Sequence, residues 1–253
     1  MKNTAKTLGA ALFWLLVWEG LALAVGKELL LPTPAAVLRR MGALALTAAF
    51  WQTVGASVAR VLCGILAAIA SGVILAALCV RVAALDALFR PLLAVVKATP
   101  VASFIILALL WMGRNVLPAF ISALIVLPVV FTNVSAGLRG VDPELSEVAR
   151  LYRFSRGKVL LKLYIPSVLP WFLSACRGAL AMGWKAGIAA EVLTVPAVSI
   201  GKMLYESKLY LETVDLFAWT GAVVLCSVAL EALVLSAAAR LERRLRSRRE
   251  GPP

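Results

Sequence analysis

The chain contains no histidine, and this absence removes much of ordinary enzyme chemistry. Most zinc sites, the Ser-His and Cys-His nucleophile pairs and the commonest proton relay near neutral pH all need imidazole. The Gly-Lys pairs at 26–27, 157–158 and 201–202 lack the following Ser or Thr and the leading Gly of the phosphate loop G-x-x-x-x-G-K-[ST]. The sequence therefore predicts a non-catalytic chain with no metal, no cofactor and no ATP hydrolysis of its own by that route.

Cysteine is also scarce. The four cysteines are Cys63, Cys79, Cys176 and Cys226, and none forms a Cys-x-x-Cys pair. All of them fall in apolar stretches, where a thiol behaves as a small apolar side chain. We expect packing residues rather than disulfides or metal ligands.

Charge is the third scarcity, at 15% of residues against 62% hydrophobic residues and a mean hydropathy of +0.94. Such a chain has too little polar surface for a soluble globule, so we predict an all-α polytopic membrane protein in one domain, 1–253. Crossing the bilayer core takes about 20 apolar residues. The candidate stretches are 8–25, 51–80, 92–112, 116–138, 167–190 and 214–238. Arg60 is the only charge between Met41 and Val80, so six spans are favoured, with seven as the alternative.

Basic residues outnumber acidic ones, with 26 Lys and Arg against 13 Asp and Glu. Six spans collect most of the basic residues on one side, which the positive-inside rule makes cytoplasmic. That side holds both termini, the loop 139–165 and the basic tail 239–253. We therefore read the net charge of +13 as a face toward anionic lipid head groups and not as a nucleic-acid site.

The loop between the fourth and fifth spans is charged and amphipathic. Asp142 is a good N-cap, Pro143 suits the first helical position, and Glu144 complements the positive end of the helix dipole. A short helix is therefore predicted, with one apolar stripe formed by Leu145, Val148, Ala149 and Tyr152. Its mixed charge and compact apolar face fit docking into a groove of another protein at least as well as a position on the membrane surface or on the protein's own spans.

A second short helix is predicted to start at Ser155 and to end at Pro166. Its apolar stripe carries Lys and Arg on the flanks. That pattern favours a helix lying on the membrane surface or on the protein's own spans.

Glu147-Val-Ala149, followed by a stretch ending Tyr-Ile-Pro-Ser-Val-Leu-Pro170, resembles the E-A-A loop of binding-protein-dependent ABC importer permeases. Other segments agree, in order, with the nitrate, sulfonate, taurine and bicarbonate branch of that family. They are Leu31-Pro-Thr-Pro-Ala-Ala-Val37, Lys97-Ala-Thr-Pro100, Trp111-Met-Gly113, Asn133 to Gly140 and Ala189-Ala-Glu191. The resemblance covers roughly Leu31 to Arg240.

The resemblance implies a type I importer permease fold in the bacterial inner membrane, working as a homodimer. It also implies two partners, an extracytoplasmic solute-binding protein and a separate ABC ATPase, which uses ATP and Mg. The loop would then carry the coupling helix that contacts the ATPase. The resemblance places Glu147 and Ala149 on the motif positions. The expected ATPase-coupling residues are Asp142, Glu144, Leu145, Glu147, Val148, Ala149, Tyr152 and Arg153.

Arg153 departs from the family pattern, which usually has Gly there. Glycine can follow the end of a helix with positive φ at no steric cost. An L-amino acid in the same conformation destabilises the helix end by roughly 1–2 kcal/mol. Either the helix exits differently or Arg153 makes a compensating contact. The departure fits a coupling surface matched to its own ATPase, or altered coupling.

The fifth span carries a second constellation. Arg177, Trp184 and Glu191 are seven residues apart and form one stripe that drifts by about 20° per step. Arg177 is either an internal tie, to carbonyls or a carboxylate such as Glu231, or part of a translocation path that favours anionic solutes. Trp184, Lys185 and Glu191 are further candidates for the path. For Trp184 packing is favoured over recognition, and Lys185 lies off the stripe and either snorkels outward or joins the path. Glu191 is expected near the external mouth, as part of a gate or a docking contact.

Small residues of this span lie largely away from that stripe. Ala175, Ala179, Gly183 and Gly187 recur at small-xxx-small spacing, which favours close packing against another helix.

Two other classes remain as alternatives to an importer permease. An ATP-independent secondary transporter or channel would more often show repeated halves or matched intramembrane charges, whereas the intramembrane charges here concentrate in one helix. A membrane scaffold or assembly protein would not need the E-A-A loop.

Overall fold

The computed structural model describes residues 2–247, apart from the side chains of 2–5, 7–8, 237–239 and 241–247, and every element in that range is helical. The α-helices are α1 Lys2–Val25, α2 Pro34–Ala45, α3 Ala48–Arg81, α4 Ala83–Ala98, α5 Val101–Ala108, α6 Leu117–Arg139, α7 Pro143–Leu151, α8 Arg156–Val159, α9 Ile165–Thr194, α10 Ile200–Leu209 and α11 Thr213–Ser247. Much of the predicted tail 239–253 continues α11, and its last six residues lie outside the described ones.

Within residues 2–247, four helices are long and apolar enough to cross a membrane. They are Ala48–Arg81, Leu117–Arg139, Arg156–Thr194 and Thr213–Ser236, and the bent pair of α4 and α5 is a candidate fifth. The predicted first span coincides with a shorter apolar segment, Gly9–Val25. The region that the sequence left open between one and two spans is the single helix α3, preceded by the short helix α2.

The stretch 92–112, expected as one span, is not one helix. α4 and α5 are bent by 102° at the residues between them, Thr99 and Pro100. Thr99 is extended, with φ −79° and ψ 132°, because the ring of the following proline disfavours the helical region for it. The hydropathy pattern did not predict this break, because the residues on both sides of it are largely apolar.

Pro166 does not end a helix, contrary to the sequence prediction. The chain runs from α8 through one π-helical turn, Leu160–Tyr164, into α9, and Pro166 is the second residue of α9. In a regular helix the Pro166 ring would clash with the carbonyl of Lys162. The wide turn, in which Ile165 N donates to Leu160 O, lies directly before the proline and accommodates it.

The chain divides into two compact units, and α3, α9 and α11 each contribute to both. The first comprises Met1–Val58 and Glu191–Cys226. Within it, aromatic rings join α1 and α3 to α11: Trp18 lies 5.7 Å from Phe217, and Phe50 lies 5.1 Å from Trp219. Arg40 Nε of α2 pairs with Asp215 Oδ1 of α11 at 2.6 Å. The carboxylate of Asp215 raises the pKa of Arg40, so the guanidinium stays charged.

The second unit comprises Ala59–Ala190 and Ser227–Pro253. Its core lies where α3, α6 and α9 approach through small residues. A Cβ on Gly183 would meet Val126 at 2.7 Å and Ile65 at 2.8 Å, and Gly187 lies against Val61 and Ser122. Ala175 and Ala179 are also buried, so the small-residue face predicted for the fifth span is confirmed as a packing face.

Candidate functional site

The loop helix α7 begins where the sequence predicts it. Asp142 is the N-cap, its side chain accepts a hydrogen bond from Glu144 N at 2.8 Å, and Pro143 occupies the first turn. Ser155 likewise caps α8, accepting from Lys158 N at 3.5 Å. Both predicted helix starts are confirmed, and α7 is fixed at its N-terminus by its own sequence.

The apolar stripe of α7 divides into a buried and an exposed part. Ala149 is only 7% exposed, whereas Leu145, Val148 and Tyr152 are 52%, 47% and 69% exposed. These three residues, which we call the exposed apolar face of α7, lie at helical spacing on one side. Glu147 is exposed as well. A nine-residue helix that is held through Ala149 and open on this face is suited to contact a partner.

Arg153 takes the conformation that glycine would take. Its φ is 51°, in the left-handed region. Phe154 N donates to Ala149 O at 2.9 Å and Arg153 N donates to Arg150 O at 3.0 Å, which is the Schellman pattern of a helix end. The helix therefore exits in the ordinary way despite the side chain, and the different exit considered from the sequence is not observed.

The stripe expected on α9 does not form one open face. Arg177 and Lys185 are exposed, whereas Trp184 is 1% exposed. The side chain of Trp184 is among the largest fully buried ones, which supports its packing interpretation. Among the described residues no ion pair joins Arg177 to Glu231, the internal tie that the sequence left open. Arg177 is therefore presented outward in the single chain.

Glu191, which is expected near the external mouth, is a buried residue in the structure. The side chain is fully buried, and its Oε2 accepts hydrogen bonds from Ser57 Oγ at 2.7 Å and from Gly201 N at 3.3 Å. Ser57 Oγ in turn accepts from Ile200 N at 2.8 Å. Glu191 thus holds the N-terminus of α10, whose N–H groups and dipole favour a negative charge.

The backbone next to Glu191 is strained. Val195 has φ 48°, a conformation rare for a β-branched residue, and its N donates to Glu191 O at 2.9 Å. The turn from α9 into α10 therefore depends on the contacts around Glu191. Sequence reasoning missed Ser57, whose only signal was a hydroxyl in a long apolar helix.

The chain matches the family of binding-protein-dependent transport system inner membrane components over residues 61–247. It belongs to this family. The match includes all of α4 to α10, and with them the E-A-A loop and α9. The family assignment accounts for the resemblance of the loop and makes the chain a multi-pass inner-membrane component without catalysis of its own.

Individual relatives in this permease family are distant. The bicarbonate transport system permease protein CmpB of Synechococcus elongatus is 30% identical over 160 residues, which cover 62% of this chain and 57% of that protein, less than two thirds of its length. The putative aliphatic sulfonates transport permease protein SsuC of Bacillus subtilis is 26% identical over 80% of this chain and 74% of its own. The taurine transport system permease protein TauC of Escherichia coli is 25% identical over 91% and 86%.

Replacing Arg153 with glycine in this chain is expected to stabilise the end of α7. The substitution removes a left-handed side-chain conformation that costs roughly 1–2 kcal/mol, against which the extra freedom of glycine in the unfolded chain costs about 0.4–1 kcal/mol. A net gain in melting temperature of about 1–4 °C should follow in detergent solution. The control is Arg150→Gly inside α7, which should lower it; a lower melting temperature for Arg153→Gly would contradict the observed φ.

Proposed function

We propose that this chain is the permease subunit of an ABC importer, driven by a separate ATPase that contacts α7. The observation that carries the proposal is the exposed apolar face of α7, on a helix capped at both ends. Large apolar side chains left in water mark an interaction site. Only three residues separate the end of α6 from the start of α7. Movement of an ATPase docked on α7 would therefore be transmitted to α6, a candidate membrane span.

The remaining parts of the proposal concern the dimer, the solute-binding protein and the orientation of the chain. The described chain forms one set of spans, and we propose that two copies build the translocation path. An external solute-binding protein would deliver the solute, and the loop of α7 and both termini would lie in the cytoplasm, where most of the basic residues collect.

A co-purification experiment tests the ATPase contact. We would express the full chain with a tag in its native host, capture it in detergent and measure the ABC ATPase recovered with it. Glu147→Lys reverses a charge next to the exposed apolar face and should reduce ATPase recovery tenfold or more, a loss of about 1.4 kcal/mol. Glu212→Lys makes the same change beyond α10 and should leave recovery unchanged.

Two results would overturn the proposal. One is equal ATPase recovery for wild type, Glu147→Lys and Glu212→Lys. The other is the absence of any captured ATPase together with solute uptake that persists in vesicles without nucleotide, which is the behaviour of a secondary transporter.

We propose a small anion as the solute. Relatives are named for bicarbonate, aliphatic sulfonates, nitrate, taurine and formylaminopyrimidine, and all but the last carry an anionic group. Arg177 and Lys185 are the exposed cations of α9. A cation facing a path between spans lowers the cost of bringing an anion into a region of low dielectric. Arg177→Gln should therefore reduce anion uptake while ATPase recovery stays at the wild-type level; unchanged uptake would exclude Arg177 from the path.

A further inference from the structure

A basic cavity between α4 and α6 belongs to none of the sites described above. Its volume is about 460 Å³. Arg90 and Lys97 of α4 and Arg139 of α6 line it, together with apolar side chains such as Leu93 and Phe131. All of these residues lie in the second unit. The cavity therefore combines three cations with apolar walls.

The described side chains neutralise the three cations only in part. Asp86 Oδ1 accepts from Arg90 Nε at 3.0 Å and pairs with Arg139 Nη2 at 2.9 Å, so one carboxylate is shared by two guanidinium groups. Lys97 Nζ donates to the neutral hydroxyl of Thr132 at 2.8 Å. Three cations and one anion leave a formal charge of +2, which favours an anionic ligand.

A buried hydroxyl in the same cavity lacks a partner. Ser135 is only 5% exposed and lines the cavity, and its Oγ makes no hydrogen bond to any described residue. A buried hydroxyl normally has a partner, because leaving it unpaired costs about 1–3 kcal/mol. It can donate to an anion oxygen. This observation points to a ligand independently of the charges.

The size and the depth of the cavity favour an amphiphilic ligand over a free ion. A water molecule takes about 30 Å³ of liquid, so the cavity is far larger than one small ion needs. Arg139 is the last residue of α6 and Thr132 lies seven residues earlier, about 10 Å along the helix axis. The cavity thus extends from the charged end of a candidate span along its apolar length.

We propose that this cavity binds the headgroup phosphate of an anionic phospholipid. The phosphate lies between Arg90, Arg139 and Lys97, and an acyl chain runs against Leu93 and Phe131. Basic pockets between membrane helices suit such head groups. Since α7 follows Arg139 after three residues, a bound lipid would also steady the end of α6 from which α7 departs.

Lipid retention by the purified full chain tests the site. Native mass spectrometry of the protein in detergent, titrated with phosphatidylglycerol, phosphatidylcholine or inorganic phosphate, gives the bound fraction of each. Phosphatidylglycerol should bind preferentially to wild type. Lys97→Gln should weaken it about fivefold, the effect of removing one basic residue near anionic lipid, whereas Lys97→Arg should retain it.

Lys202→Gln is the matched control, because Lys202 pairs with Glu206 on α10, outside the cavity. Equal phosphatidylglycerol binding by wild type and Lys97→Gln would overturn the proposal. Equal binding of phosphatidylcholine, or displacement of the lipid by inorganic phosphate at matched concentration, would also overturn it. Lys97 is exposed, so neither substitution at this position disturbs a core.

Discussion

Glu191→Ala lowers the melting temperature of the detergent-purified protein by about 6–12 °C. The substitution removes the carboxylate that accepts hydrogen bonds from Ser57 Oγ and Gly201 N. Both donors are then buried without this acceptor. Hydrogen bonds to a charged group are each worth about 1.5–3 kcal/mol, so a loss of about 3 kcal/mol is a conservative expectation. In a chain of this length each kcal/mol shifts the melting temperature by roughly 2–4 °C.

Two further variants separate this contact from the mere loss of a carboxylate. Glu231→Ala removes an exposed carboxylate from α11 and should change the melting temperature by less than about 2 °C. Glu191→Gln keeps an oxygen that can accept from Ser57 and should lose roughly half as much stability as Glu191→Ala. A thermal scan in which Glu191→Ala and Glu231→Ala coincide would rule out the interior role of Glu191.

The parts of the fold that depend on neighbouring residues could be predicted from the sequence. The caps at Asp142 and Ser155 use hydrogen bonds that span two or three residues, so residue type and order specify them. The small-residue face of α9 was also predictable, because helical periodicity places Gly183 and Gly187 on one side whatever the partner.

Features that depend on distant residues could not be predicted. Ser57 and Glu191 are 134 positions apart, and nothing local in either segment indicates the other. Periodicity therefore placed Glu191 on a stripe with Arg177 but could not show that α10 and Ser57 bury it. The bend at Thr99 and Pro100 is different: its signal was present, but apolar residues on both sides masked it in a reading based on hydropathy.

Arg153 shows a third relation between sequence and structure. The sequence correctly identified a position where a side chain is costly, and the structure shows that the chain accepts the cost, with φ at 51°. Local propensity is here overruled by the hydrogen bonds of the helix end. Such strain is often kept at functional sites, which agrees with the proposed role of α7.

Gly64→Ala should be the most damaging exchange of one hydrogen for a methyl group in the second unit. A Cβ at Gly64 of α3 would overlap the backbone of α6, lying 2.7 Å from the carbonyl carbon and 2.9 Å from the Cα of Ala119. Backbone atoms cannot rotate away as a side chain can, so the two helices must separate. Overpacking of this kind costs typically 1–3 kcal/mol, and we expect the upper end, a fall of about 6–12 °C in melting temperature.

Gly55→Ala on the same helix is the matched control for this effect. A Cβ there meets nothing within 4 Å, so the substitution should be neutral or should stabilise α3 by up to about 1 kcal/mol, the usual gain of alanine over glycine in a helix. The two exchanges should therefore shift the thermal scan in opposite directions, although both add one methyl group to α3. Equal shifts in melting temperature would mean that helix propensity alone determines the effect of both substitutions. They would also mean that the backbones of α3 and α6 are not in contact. Opposite shifts would mean that α3 holds α6 at a fixed distance, the rigidity that α6 needs if it is to carry a movement that begins at α7.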